Sequence, residues 1–289
     1  MVWVDLLING ICLGGLYGVL GVGLQLVVGV MRFVNISHGE FIVMAAFVAV
    51  FASADLVGVN PLWLLVPVAV LFFFVGYGVQ AVLFNRVVTA PDFLAPILLT
   101  FGLSIVLQNV MFELFGTDVR SLTAGGLSRM SIQLGTLSIG VLPLITLGLA
   151  ILFFVALQLV ISRTTFGRAI RATADNRDVA RLMGVKPTRM FNITMGLALA
   201  LAAVAGMLLA MRSTFTPFSG FASLLVAFEV IVIGGFGSFW GALLGGFLLG
   251  LAQLIGLHFD PDAGIFYVHV AFFAVVLFRP QGLMGVKLP

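Results

Sequence analysis

The sequence predicts an all-α, polytopic membrane protein of about eight transmembrane helices, forming one transmembrane domain over residues 1–289. Three observations predict it. Of the 289 residues 62% are apolar and only 9% charged, against about 25% charged in an average soluble protein. Long apolar runs recur along the whole chain. The basic residues gather in one stretch between two of those runs. This composition excludes an ordinary cytosolic domain and a disordered chain. A net charge of +3 from only 14 Lys and Arg is too little for a phosphate-tracking surface, so no nucleic-acid partner is expected. A single cysteine, Cys12, excludes a disulfide framework or a cysteine-rich metal site.

A helix needs about 20 apolar residues to cross the hydrocarbon core. Leu6–Val30, Phe41–Ala54, Leu62–Phe84, Leu94–Phe115, Ile139–Ile161 and Met190–Met211 are six candidates. The second starts earlier, near His38. Three shorter pieces follow: Leu224–Ile233, Ala242–Leu257 and Ile265–Phe278. The first run lacks a basic leader and a cleavage site and is too long for a signal-peptide core, so it reads as a retained span. Leu224–Leu257 is short-segmented and glycine-rich, and the pattern leaves open whether Leu224–Ile233 crosses or re-enters.

Charge sets the orientation. Ser162–Met190 holds Arg163, Arg168, Arg171, Arg177, Arg181, Lys186 and Arg189. The positive-inside rule makes this stretch cytoplasmic. Alternation outward from it gives an extracytoplasmic N-terminus, eight spans and a cytoplasmic C-terminus. Arg32, Arg86, Arg279 and Lys287 then join the inside set, leaving Arg120, Arg129 and Arg212 outside. No Walker lysine motif occurs, so ATP-driven transport would place the ATPase on another chain.

The cytoplasmic loop, about residues 162–189, carries structure of its own. Arg168 and Arg171 alternate with Ala169, Ile170 and Ala172, as on a surface helix continuing from the membrane. Asp175 reads as an N-cap with Asp178 three residues on, an acidic variant of the capping pattern. A short helix over 176–183 follows, with Val179, Ala180, Leu182 and Met183 as its apolar face. Gly184 suits the left-handed position after it, and Pro187 prevents continuation. Such a loop either sets topology only or docks in a partner's groove.

Polar residues inside apolar runs are the other candidates. Ser37 and Glu40 have capping-box spacing, with Glu40 reaching back to the Ser37 N–H, and Gly39 permits a close chain approach. His38 contacts the cytoplasmic coupling region or bonds a neighbouring loop; with His258 and His269 on distant segments, no metal site is expected. Glu229 is the one carboxylate in the apolar run 226–233. At about 3 kcal/mol for a charge at a helix centre, it must be protonated, paired or facing water. The alternative is a backbone-carbonyl bond near a subunit contact. Gln25, Gln108 and Asn109 are softer candidates for a polar pathway or for interhelical hydrogen bonds. Gly10, Gly14, Gly15, Gly18 and Gly21, and Gly241, Gly245, Gly246 and Gly250, form stripes that let helix backbones approach. Gly234-Gly235-Phe236-Gly237 predicts an irregular segment, tolerable only if buried or lining a cavity.

Five segments carry a family resemblance. Asn35-Ile36-Ser37-His38-Gly39-Glu40-Phe41 resembles the signature of branched-chain amino acid permeases of the LivH type. Phe166-Gly167-Arg168-Ala169-x-Arg171-Ala172, Gly234-Gly235-Phe236-Gly237-Ser238-x-x-Gly241-Ala242 and Phe278-Arg279-Pro280-Gln281-Gly282-Leu283 match in the same order. Asp178-Val179-Ala180-x-x-x-Gly184 resembles a degenerate EAA loop of bacterial ABC importer permeases. The resemblance implies an inner-membrane permease subunit working with a second homologous permease, two cytoplasmic ATPases and an extracytoplasmic binding protein. ATP and Mg would bind the ATPases, with no cofactor in this chain. Phe166, Gly167, Arg168, Arg171, Asp175, Asp178, Ala180 and Gly184 would form the coupling loop. Asn35, Ser37, His38, Gly39, Glu40, Glu229, Gly234, Gly235 and Gly237 would be signature or pathway residues. The implied cargo is leucine, isoleucine or valine, with urea, short amides and aromatic acids as alternatives. Glu229 and Val226 depart from the family's pattern. From other classes, Glu229 or Glu40 would serve a proton-coupled secondary transporter. A membrane enzyme would need His258, Asp260, Asp262 and His269, of which Asp260-Pro261-Asp262 reads more simply as a turn.

Overall fold

The computed structural model describes residues 2–55, 60–88, 94–134 and 137–285. Lys287, counted among the inside cations, lies outside the described residues. The described residues form eleven α-helices: α1 Val2–Met31, α2 His38–Asp55, α3 Leu65–Val82, α4 Leu94–Phe115, α5 Val141–Arg163, α6 Thr165–Asp175, α7 Arg177–Leu182, α8 Pro187–Arg212, α9 Gly220–Gly234, α10 Phe239–Phe259 and α11 Gly264–Phe278. Single 3₁₀ turns precede α3 and α9 at Pro61–Leu64 and Pro217–Ser219. A small antiparallel pair, β1 Ser131–Leu134 with β2 Leu137–Gly140, lies between α4 and α5. The all-α reading missed this ribbon. Its four-residue strands, such as Ser131-Ile132-Gln133-Leu134, alternate polar and apolar residues too briefly to stand out beside the apolar runs.

Seven segments are long and apolar enough to cross a membrane, and His38–Ser53 and Gly264–Phe278 are shorter apolar helices. The lateral surface is apolar too, with Trp63, Phe74, Leu98 and Phe273 exposed. A surface of this kind is solvated by lipid rather than water.

α1 is the hub. It is apolar on every side, and such a helix is buried; it packs against α10, α8, α9 and α5. The two glycine stripes meet here. Gly14 lies against Gly246 and Phe247, while Gly250 lies against the Gly10 carbonyl and Gly14. Trp3 meets His258 at the far end, so α1 and α10 run antiparallel. Gly21 and Gly245 admit Val230 of α9, and Gly15 admits Leu147 of α5. These glycines are contact points where backbones touch.

The doubtful stretch 224–233 crosses. Just before α9, Phe215 bridges to Arg120 in the α4–α5 connection. Just after it, Gly237 shares a cavity with Arg171 and Ala174 in the α5–α8 connection. Those connections lie at opposite ends of α5, so the turn at Pro217–Ser219 and α9 together run from end to end. The tail returns to the same end as Gly235, where Leu283 N–H donates to the Ile233 carbonyl at 2.7 Å and Met284 N–H to Gly234 at 3.0 Å. Among the described residues nine helices are apolar, seven of them in segments long enough to cross a membrane, beside the roughly eight spans expected.

Candidate functional site

The connection between α5 and α8 is built from local signals. Thr164 stops α5 and caps α6, its hydroxyl accepting from Gly167 N–H at 3.0 Å. Gly167 packs so closely on the Ile161 backbone that a side chain has no room. Arg171 donates to the Ile161 carbonyl, and Ile170 and Thr173 are buried beneath α6. Phe166 is half-buried, and Arg168 is exposed. The helix is thus folded back against the end of α5.

α6 ends at Asp175, and the cap of α7 is Asn176, whose side chain accepts from Asp178 N–H at 3.0 Å and Val179 N–H at 3.1 Å. The expected cap, Asp175, is displaced by one position. Both residue types cap well, and Asn176 is the one with extended backbone. Asp178 sits in the first turn, where a carboxylate complements the helix dipole, 3.5 Å from Arg181. The far end is as expected. Gly184 is left-handed (φ 81°); Val185 N–H bonds the Ala180 carbonyl and Gly184 N–H the Arg181 carbonyl. That is a Schellman closure. Ala180 is buried, whereas Leu182 is 86% and Met183 80% exposed.

Arg177 fixes this short helix to the bundle. Its guanidinium donates to the Val88 carbonyl at 2.8 Å and the Met31 carbonyl at 3.2 Å, and lies 5.1 Å from the Phe191 ring centroid. Burial and the neighbouring cations Arg32 and Arg181 lower its pKa from the ordinary value, with Asp178 opposing. Arg32, directly after α1, donates to the Ala174 carbonyl at 2.9 Å. α6 and α7 are thus tied to the end of α1, to the segment after α3 and to α8. Sequence reasoning counted Arg177 only as a topology charge. The available signal was a cation in a helix's first turn, against the dipole preference, which asks for another partner.

Inside the bundle the signature residues follow a different pattern. After Arg32 the chain turns back into the bundle, and α2 begins with His38 fully buried beside Leu20 and Gly23 of α1. His38 therefore meets neither the coupling loop nor another loop. The expected capping box does not form. Asn35 Oδ1 accepts from Ser37 N–H at 3.1 Å and from Ser37 Oγ at 2.7 Å. With Ser37 N–H taken, Glu40 turns away and accepts from Ser104 Oγ of α4 at 3.3 Å. Gly39 packs against the Gly220 carbonyl, the close approach expected of it.

Glu229, 2% exposed, meets Nδ1 of His269 on α11 at 2.5 Å. It is paired through a side chain, not a backbone carbonyl. The partner was missed, although both residues stand isolated in apolar runs. Gln25 is buried and donates to the Gly235 carbonyl at 3.1 Å, whereas exposed Asn109 bonds its own helix at Ile105. Gly235 (φ 93°) and Gly237 (φ 86°) break the chain after α9 as expected. Gly234 and Gly241 pack backbone to backbone, which leaves neither room for a side chain. Gly237 lines a cavity of about 390 Å³ with Gln25, Gly29, Gln158, Arg171 and Phe239. Among the described residues no group of His, Cys, Asp and Glu is placed to hold a metal ion.

A helical bundle whose described residues hold seven segments long and apolar enough to cross a membrane, with an apolar lateral surface, is a multi-pass membrane protein. The chain belongs to the family described as branched-chain amino acid transport system, permease component, which matches residues 6–278. It is 31% identical to the high-affinity branched-chain amino acid transport system permease protein BraD of Pseudomonas aeruginosa, over 96% of this chain and 94% of that one. It is 29% identical to the LivH permease protein of Escherichia coli K12, with the same coverage. Identity to the LivM permease protein of Salmonella typhimurium is 26%, over 95% of this chain and 69% of that one. The chain is thus a permease subunit of the inner membrane, in agreement with the motif resemblance.

Proposed function

We propose that the chain is one of two related permease subunits of an ATP-driven importer that carries branched-chain amino acids delivered by an extracytoplasmic binding protein. Two cytoplasmic ATPases bind ATP and Mg and dock on α7, and this chain holds no cofactor of its own. The observation that carries the reading is α7 itself. It is a capped helix that leaves Leu182 and Met183 exposed while Arg177 ties it to the α1 and α3 ends. An exposed apolar face on a rigid mount is what a partner's groove requires. Closure of the ATPases pulls the segment from Phe166 to Gly184, and the helices alternate between outward-open and inward-open arrangements. The relatives named for branched-chain amino acid transport support the cargo class, and similarity to both LivH and LivM supports a permease pair.

The test is reconstitution with the second permease, the ATPases and the binding protein in proteoliposomes. Leucine-loaded binding protein is expected to stimulate ATP hydrolysis and leucine uptake. Stimulation by urea, an amide or an aromatic acid instead would reassign the cargo. Uptake driven by an imposed proton gradient without ATP would replace this reading with a proton-coupled transporter.

A further inference from the structure

Glu40 stands in the first turn of α2, 2% exposed. Its depth follows from its neighbour: Ser104 lies halfway along the 22-residue α4. The carboxyl lies against Gly220, the first residue of α9, where any added Cβ would overlap it. Ser219 gives α9 no side-chain cap, because its hydroxyl accepts from Thr216 N–H. Oε1 accepts from Ser104, but Oε2 is buried with no hydrogen-bond partner, and no Lys, Arg or His is paired with Glu40 among the described residues. A buried carboxylate oxygen without a donor is costly, and a charge-assisted N–H donor is its best partner.

The surroundings are apolar. α4 is the least buried of the long helices and touches the bundle through α2 and the turn at Pro217–Ser219. Phe221 follows Gly220 and is exposed, Phe218 stands 5.8 Å from Phe112 of α4, and exposed Phe101 precedes Ser104 by one turn. A lone carboxylate beneath exposed aromatic side chains matches a molecule with one ammonium group and one apolar branch.

We propose that Glu40 Oε2 receives the ammonium group of the amino acid in transit, while the phenylalanines on α4 and at the start of α9 hold its apolar side chain. The proposal rests on the reading of the chain as an amino-acid importer subunit, and names the contact within it.

The complete importer in nanodiscs and proteoliposomes tests it. Glu40→Gln keeps the shape and removes the charge. Leucine uptake is expected to fall at least tenfold while the ATPases still co-purify with the permease pair; Ser104→Ala is expected to lower uptake two- to fivefold. In the wild-type complex, 3-methylbutylamine is expected to raise the melting temperature and 4-methylpentanoate is not, and Glu40→Gln is expected to abolish the shift. Unchanged uptake in Glu40→Gln, loss of ATPase co-purification, or equal stabilisation by the carboxylate analogue would each overturn the proposal. A wild-type complex without binding-protein-stimulated ATP hydrolysis would instead sink the importer reading itself. The two failures are thus distinguishable.

Discussion

Leu182→Ala separates docking from folding. The side chain is 86% exposed, so its removal changes the stability of the free subunit by about 0.5 kcal/mol or less. The situation reverses if α7 inserts in an ATPase groove. The substitution deletes three carbons, each worth about 0.8 kcal/mol when buried, so docking loses about 2 kcal/mol. That is about a thirtyfold weaker Kd. The assay is binding of the purified ATPase to the permease pair in nanodiscs, alongside thermal unfolding of the same sample. The expected result is the affinity loss with an unchanged melting temperature. An affinity within threefold of wild type would refute the assignment of the exposed face of α7 as the docking element, and a large fall in melting temperature would refute its placement as exposed.

Three further outcomes follow from contacts described above. Gly184→Ala meets open space but must adopt φ 81°, so it should destabilise the α7 closure by about 1–2 kcal/mol; hydrogen exchange at α7 amides should accelerate, with Gly184→Asn nearer to wild type. His269→Ala leaves Glu229 buried without its partner and should cost about 1–3 kcal/mol; because His269 is 39% exposed, the lower half of that range is expected, with part of the melting temperature recovered on adding Glu229→Gln. Gly246→Val places a Cβ 2.5 Å from the Gly14 carbonyl oxygen and should destabilise the α1–α10 contact by about 1–3 kcal/mol, whereas Gly148→Ala, with nothing in the way, should leave detergent stability unchanged.

The connection between α5 and α8 was largely legible because its signals are local. A helix start needs a side-chain acceptor within three residues, and a Schellman closure needs a left-handed residue at one position. Gly184 therefore marked the end of α7 correctly, whereas Pro187, read only as preventing continuation, opens α8 three residues before the expected Met190. The start slipped by one residue because adjacent Asp175 and Asn176 are both able caps, and only the backbone turn decides between them. Ser37 and Glu40 failed for a related reason. Asn35 offered the Ser37 N–H a nearer acceptor, and Ser104 drew the carboxylate to α4.

The sequence by itself determined that this chain dissolves in lipid, roughly where its apolar helices lie, and that its glycine stripes mark close contacts. These are properties of short stretches, set by local sterics and by transfer free energies that add along the chain. Tertiary structure decided which stretches meet. Gly14 faces Gly246 across most of the sequence, Glu229 finds His269 forty residues away, and Arg177 reaches two distant carbonyls. The Arg177 contacts are with the last residue of α1 and with Val88 in the turn that follows α3. Each such pairing depends on helix crossing angle and depth. In an apolar bundle nearly every helix face is equally sticky, so the periodicity of the sequence carries little record of the partner.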